Sequence, residues 1–517
     1  MNIKHNVIAL SLAAIGALPA FAASQVSVAI DASKPGPVIN KNVYGQFAEH
    51  LGTGIYEGMW VGPKSKIPNT RGWRNDVVGA LKELHVPLIR WPGGCFADEY
   101  HWRDGIGARE KRPTKVNTNW GGVEESNAVG THEFFDLAEQ VGADTYVNGN
   151  LGSGSVQEMS EWVEYMTSPS KSTLANLRRK NGRDKPFKVD FFAIGNEAWG
   201  CGGNMTPEHY ADLYRNYNSF LRAPHEYRPK MIASGGNDND SKWTEVLSSR
   251  LGGQTEAISF HYYTIPTGKW DVKGAATGFK ENEWMATLQN TLRMDSLIKT
   301  NVAILDKNDP SKKIGFYVDE WGTWYDVEKG TNAGFLFQNN TLRDAVVAAL
   351  NFNIFHAHAD RVKMTNIAQM VNVLQAMIIT EKDKMILTPT YYAYQMYVPF
   401  QDATSLPVQV SDSAPYKLGD ASIPGVSASA ARAKDGKVYL ALVNTNPGQP
   451  VEVSVDVTGT KVTGASGKVL TSAEMDAHNT FKAPQAIKPA PYSAKAANGK
   501  LNLTLPAKAV VVVALEG

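Results

Sequence analysis

The sequence predicts an α/β fold, a (β/α)8 TIM barrel with a second, smaller all-β sandwich domain, and three observations predict it. Eight short apolar runs alternate with helix-patterned segments between residues 44 and 398. The fourth and seventh runs each end in a glutamate flanked by aromatics and glycines, Phe191-Phe192-Ala193-Ile194-Gly195-Asn196-Glu197-Ala198-Trp199-Gly200 and Ile314-Gly315-Phe316-Tyr317-Val318-Asp319-Glu320-Trp321-Gly322. Beyond Phe400 the helical period stops and apolar-polar alternation replaces it.

In order along the chain, Lys4 and His5 precede the apolar run Val7 to Leu18 and then Ala20-Phe21-Ala22, the three parts of a secretory signal peptide over residues 1–22. Export to a periplasm or the medium is the expectation from that pattern. The run is too short to span a bilayer, and no later segment has the length for a transmembrane helix, so no membrane partner is expected. Without residues 1–22 the formal charge goes from +1 to 0, because Lys4 is their one charged side chain. Such a neutral chain has no electrostatic footprint for nucleic acid.

Residues 23–42 carry Val26, Val28 and Ile30 at strand spacing before Pro35-Gly36-Pro37, a strand and turn with no place in the barrel that is expected to join the sandwich. The barrel is assigned to residues 43–398, with strands at Tyr44 to Glu49, Pro87 to Trp91, Asp144 to Asn148, Asp190 to Glu197, Met231 to Gly235, Ala257 to Tyr262, Lys313 to Glu320 and Arg361 to Gln369. After the fourth, Thr206-Pro207 supplies an N-cap and a proline at the first helical position, and Tyr210, Leu213, Tyr214, Tyr217 and Leu221 follow at helical spacing. Before the third, Phe134, Leu137, Ala138 and Val141 make a similar stripe that Gly142 terminates. Residues 399–517 form the sandwich, with hairpin strands flanking Asp435-Gly436, the alternating Val451, Val453, Val455 and Val457, and Leu501, Leu503 and Leu505.

A TIM barrel builds its active site at the C-terminal strand ends. Those ends carry Glu49 and His50, Arg90 to Cys95, Asn148 and Asn150, Asn196 and Glu197, Asn237 and Asp238, His261 and Tyr263, Glu320, and Gln369 with Asn372. The ring is rich in amides and carboxylates, a set that suits a hydroxyl-rich ligand, and it contains no metal-type cluster, so neither metal nor cofactor is expected. A glutamate after a buried strand is either a solvated terminus, one half of an ion pair, or held for chemistry. Two of them, on strands four and seven, suit the roughly 5 to 5.5 Å carboxyl separation of retaining glycosidases. At that distance the two titrate as a coupled pair.

Together with Tyr44-Gly45-Gln46-Phe47-Ala48-Glu49-His50-Leu51-Gly52, Arg90-Trp91-Pro92-Gly93-Gly94-Cys95-Phe96, His261-Tyr262-Tyr263 and Asn366-Ile367-Ala368-Gln369, these stretches resemble glycoside hydrolase family 51, the α-L-arabinofuranosidases. The resemblance implies that Glu197 is the acid/base and Glu320 the nucleophile of an exo-acting, retaining hydrolysis of terminal α-L-arabinofuranosyl residues on arabinan- or arabinoxylan-type glycans. It further implies that Glu49, Arg90, Cys95, Asn196, Tyr263 and Gln369 surround the sugar, that His261 sits near the acid/base, and that Trp120 stacks on the leaving-group side. Family members are usually homo-oligomers, often hexamers, and need no metal. The alternatives left open are another retaining glycosidase on the same barrel, an endo-glucanase or a xylosidase, and a non-catalytic sugar-binding protein.

Other features have plainer readings. Cys95 and Cys201, the two cysteines of the chain, are either small buried residues or a disulfide across the loops. His356-Ala357-His358-Ala359-Asp360 has the composition of a metal tract but runs into the eighth strand from the opposite barrel face, so packing is expected. Asp238-Asn239-Asp240 reads as a solvated turn, with calcium as the alternative.

Overall fold

The computed structural model describes residues 25–411, 414–497 and 500–517, and the signal-peptide reading of residues 1–22 lies outside them. Eight parallel strands close into a barrel: β1 (Gly45–Phe47), β2 (Leu88–Trp91), β3 (Asp144–Gly149), β4 (Phe191–Ile194), β5 (Lys230–Ala233), β6 (Ala257–Thr264), β7 (Gly315–Thr323) and β8 (Thr365–Ile367). They neighbour one another in sequence order and β8 pairs with β1, through Asn366 opposite Gly45. Each strand is followed by at least one helix, the longest being Glu281–Asn308.

Parallel strands covered on both faces must be apolar throughout, which is why these segments read as continuous apolar runs rather than as alternating ones. Side chains pointing into the barrel, among them Leu88, Tyr146, Phe191, Ile232 and Tyr317, form a small core of their own. Outward-facing residues such as Ile89, Val147, Phe192 and Ile258 join the large core beneath the helices. The expected caps are present. The Thr206 hydroxyl accepts from the His209 N–H at 3.3 Å ahead of Pro207, and Gly142 ends its helix at φ +84°.

Strand limits differ from the sequence reading where the site begins. The fourth run was expected to continue to Glu197, but β4 stops at Ile194, because Gly195 (φ +82°) and Glu197 (φ +43°) turn the chain away. The eighth was expected from Arg361, whose guanidinium is instead tied to Asp306 and Asp309 ahead of the strand. The seventh runs past Glu320 to Thr323, so this glutamate lies within the strand.

The second unit is a ten-stranded, mainly antiparallel sheet folded over on itself. One half contains Val426–Arg432, Val438–Asn444 and Val510–Glu516; the other contains Val451–Thr458, Lys500–Leu505 and the N-terminal strand Gln25–Asp31. Val28, Val453 and Leu503 from one half share a core with Leu440, Leu442 and Val511 from the other. The N-terminal strand pairs in parallel with Val451–Thr458, Val28 opposite Val455, and in antiparallel with Val408–Val410.

The outer face of this sheet packs on the helices Leu342–Ala357 and Pro389–Tyr397, so that Ala441, Val443 and Val512 belong to the barrel's core. His356 works at this junction. Its ring lies 2.6 Å from the Tyr44 hydroxyl and 2.7 Å from the Ser429 hydroxyl, and burial lowers its pKa to about 3, so it packs as a neutral ring. His358 pairs with Asp295 at 2.7 Å.

Candidate active site

The C-terminal strand ends open into a cavity of about 270 Å³, at the small end of ligand pockets and sized for a short ligand rather than a polymer strand. Glu197 and Glu320 both line it, and an oxygen of one lies within 4.8 Å of an oxygen of the other. The two arrive by different routes. Glu197 follows β4 in a left-handed conformation that costs a non-glycine residue energy and that the packed surroundings hold in place. Glu320 stands opposite His261 across the β6–β7 pair, next to a register shift between Ser259 and His261 that re-aims the side chains.

Their surroundings differ in kind. One Glu320 oxygen accepts from Arg90 Nη1 and the other from the Tyr263 hydroxyl, both at 2.8 Å. Glu197 has the protonated face of His261 on one side, Nδ1 at 2.8 Å from Oε1. On its other side are Cys95 Sγ at 3.7 Å and Cys201 Sγ at 3.4 Å from Oε2. These sulfurs are joined in a disulfide, so they carry no proton and abut the carboxyl group without donating to it.

Burial raises the Glu197 pKa, the charge of Glu320 raises it further, and the His261 contact opposes both. For His261, burial disfavours the cation, but Glu320 and Asp319 outweigh it and lift the ring to about 10. Asp319 is the hub behind the pocket. It lies 3.0 Å from His261 Nε2 and 3.7 Å from Arg90 Nε, and it accepts from the Tyr146 hydroxyl at 2.7 Å. Burial works against its charge, yet Arg90 and His261 hold its pKa below the ordinary value.

Of the other sequence-predicted residues, Cys95, Trp120, Tyr263, Gln369 and Glu49 line the same cavity. Glu49 is pinned by three donors, Phe96 N at 3.1 Å, Trp120 Nε1 at 3.0 Å and Gln369 Nε2 at 2.9 Å. Burial and then the charge of Glu320 push its pKa up to about 7. Arg90 and Asn196 stand one layer back, fully buried. Arg90 Nη2 donates to Asn196 Oδ1 at 2.6 Å, which leaves the Asn196 Nδ2 group with no protein partner among the described residues.

Several residues escape the sequence reading. Asp98 accepts from Leu151 N and Gly152 N at 2.8 Å and from Asn196 N at 2.9 Å, so one carboxyl group ties the loops after β2, β3 and β4 together. Trp199, Trp270 and Trp324 line the cavity mouth, with Lys273 Nζ 5.5 Å from the Trp270 ring and 5.7 Å from the Trp324 ring. Asp238, placed by the sequence at the fifth strand end but read there as part of a solvated turn, lines the cavity and pairs with Arg293 at 2.7 Å.

The chain matches two family models, an alpha-L-arabinofuranosidase 1 domain over residues 80–278 and an alpha-L-arabinofuranosidase C-terminal domain over residues 319–509. It is 48% identical over 517 residues, 100% of both chains, to an intracellular exo-alpha-L-arabinofuranosidase of Bacteroides ovatus. Among solved structures it is similar to the GH51 arabinofuranosidase of Xanthomonas axonopodis pv. citri, with 52% identity, TM-score 0.94, and coverage of 95% of this chain and 100% of that one. An alpha-L-arabinofuranosidase arabinose complex from Thermotoga maritima matches at 28% identity and TM-score 0.80 over 95% and 99% of the two chains.

The expectation of export does not stand. The Bacteroides ovatus relative, matched from end to end and so across residues 1–22 as well, is named as intracellular. A short apolar run behind one lysine is a compositional signal, and composition alone does not determine that a segment is read as an address. What the matches do establish agrees with the barrel, the paired carboxyl groups and the small pocket: the chain belongs to glycoside hydrolase family 51, the retaining exo-acting α-L-arabinofuranosidases.

Proposed function

We propose that Glu197 and Glu320 carry a double displacement that releases terminal α-L-arabinofuranosyl residues from arabinan- or arabinoxylan-type oligo- or polysaccharides. The observation that carries this reading is the pairing of two carboxyl groups within 4.8 Å, one bound by Arg90 and Tyr263 and the other of raised pKa. That spacing is shorter than the roughly 6.5–9.5 Å of inverting enzymes, which supports direct attack.

In the first step Glu320 attacks the anomeric carbon while Glu197 gives its proton to the departing glycosidic oxygen. An ester forms between Glu320 and the sugar, and the charge of Glu320 is lost. Since that charge is one of the two causes of the raised Glu197 pKa, Glu197 then holds its proton less tightly and can act as base toward water. Water attack on the ester restores Glu320, and Glu197 is protonated again. The unpartnered Asn196 amide is suited to a sugar hydroxyl, and a donor to the 2-hydroxyl that strengthens in the transition state lowers the barrier further. Glu49 and Gln369 supply the remaining polar wall and Trp120 an aromatic face beside it. Assembly into a homo-oligomer belongs to the same reading, supported by the family resemblance, and light scattering in solution tests it.

An aryl glycoside panel tests the substrate, with arabinofuranosides expected to be cleaved faster than xylosides or glucosides. NMR of the first-formed sugar is expected to show the retained anomer, and an inverted product would remove Glu320 as nucleophile. Azide is expected to restore turnover of activated substrates by Glu197→Ala, and failure of any rescue would count against the acid/base assignment.

A further inference from the structure

The Cys95–Cys201 disulfide sits against the proposed proton donor rather than in a structural core. Cys95 lines the substrate cavity, Cys201 is exposed, and both sulfurs face the same oxygen, Glu197 Oε2, at 3.7 and 3.4 Å. The chain has no other cysteine. All three donor atoms lie within 4.8 Å of one another. While the disulfide is intact the sulfurs are poor ligands, because the thiolate is the form that binds metal.

Reduction changes what this cluster can bind. A phosphine takes the disulfide to two thiols and leaves as its oxide, with the oxygen and both protons coming from one water molecule. Two thiolates and a carboxylate are the donor set of zinc-type cations, which they hold tetrahedrally with water in the fourth position. Two sulfurs on one such ion stand about 3.8 Å apart for bonds of about 2.3 Å. The 5.5 Å between the Cys95 and Cys201 Cα atoms permits that separation by side-chain rotation alone.

We propose that reduction of the Cys95–Cys201 disulfide creates an inhibitory site for a zinc-type divalent cation, formed by both cysteine sulfurs and Glu197 Oε2. Binding releases the two thiol protons and the proton of Glu197 to solvent. It also holds Glu197 as a metal-bound carboxylate that has no proton to give, and it places the ion in the sugar's cavity. Binding depends only on the donor atoms, whereas inhibition rests also on the reading of Glu197 as acid/base.

The test uses the full chain in three forms: oxidised, reduced with tris(carboxyethyl)phosphine, and reduced Cys201→Ser. Cobalt(II) chloride added to the reduced native protein is expected to give a thiolate-to-cobalt charge-transfer band at one equivalent. The oxidised and Cys201→Ser forms are expected to lack it. Zinc chloride is then expected to lower arabinofuranoside hydrolysis by the reduced protein at least about tenfold, since acid–base transfer contributes about 10²-fold or more. Addition of EDTA should restore the rate, and the Cys201→Ser enzyme, active without metal, should be unaffected. No band in the reduced native protein, or an equal band in Cys201→Ser, overturns the site. A band with undiminished hydrolysis overturns the inhibition, and azide rescue of Glu197→Ala, which needs no metal, then reports separately whether Glu197 is the acid/base.

Discussion

His261 Nδ1 stands 2.8 Å from Glu197 Oε1, and it stands there as a cation, because Glu320 and Asp319 overcome the cost of burying its charge. Its pKa is raised to about 10, so the folded state binds this proton more tightly than the unfolded chain does. The resulting stability is fully present below about pH 6.5, the ordinary histidine value, and is lost as the pH rises through about 10. Urea unfolding of native protein and His261→Gln is therefore expected to show a large stability difference at about pH 6 and a smaller one at about pH 10.5. A difference that does not change with pH would mean that the ring is neutral in the native fold.

The charge of Glu320 is the second cause of the raised Glu197 pKa, after burial. In Glu320→Gln that charge is gone and burial remains. A carbon-13 NMR titration of the Glu197 carboxyl group is expected to give a lower pKa in Glu320→Gln than in the native protein. An unchanged value would remove the electrostatic coupling on which the proposed acid-to-base change depends.

Tyr263 gives its hydroxyl hydrogen to Glu320 Oε2 at 2.8 Å. A hydrogen bond to a charged group contributes about 1.5–3 kcal/mol, so Tyr263→Phe is expected to lower kcat/KM by roughly 10- to 100-fold. Pre-steady-state kinetics on an activated arabinofuranoside separates the step affected.

A side chain at Gly94 would collide with Glu49, since a Cβ there would lie 2.5 Å from Oε1 and 2.8 Å from Oε2. Gly94→Ala is expected to displace the Glu49 carboxyl group from Phe96, Trp120 and Gln369 and to cost about 1–3 kcal/mol of stability. KM should rise with it, and a crystal structure of the variant would show whether Glu49 moves.

Asp98 holds three backbone N–H groups from two loops, and Asp98→Ala leaves all three without an acceptor. Each unsatisfied buried group costs about 1–3 kcal/mol, so a loss of at least about 3 kcal/mol is expected in denaturant unfolding. Activity should fall too, through Asn196, whose backbone N–H is one of the three.

The barrel and the paired glutamates were legible because each depends on a short local pattern, an apolar run with a polar residue just past it. Asp98 and Asp319 were not, because what they do is set by partners far away in sequence. Asp98 reaches Leu151 and Asn196, and Asp319 reaches Tyr146, His261 and Arg90. Asp319 lay in plain view beside Glu320, yet period-2 alternation would send the two to opposite faces, and the register shifts that accompany the approach of both to Arg90 and His261 leave no pattern in the sequence. Trp270 and Trp324 sit in long connections after β6 and β7, where no periodicity reports which aromatic turns toward the cavity. The strand limits at Ile194 and Thr365 were misplaced for a related reason. Apolar composition continues past the point where a positive φ or a buried ion pair ends the pairing.

The strand Gln25–Asp31 has its parallel neighbour at Val451–Thr458, so Val28 waits for Val455. A ribosome adding 5–20 residues per second needs about 20 to 90 s to make the roughly 420 residues between them. For that time the edge that Val451–Thr458 will cover stays open, whereas the barrel's last pairing, Asn366 with Gly45, is available as soon as the eighth barrel strand is made. The barrel can therefore mature before the module that brackets it, and exchanging one barrel for another by gene splicing would need two junctions, one on each side.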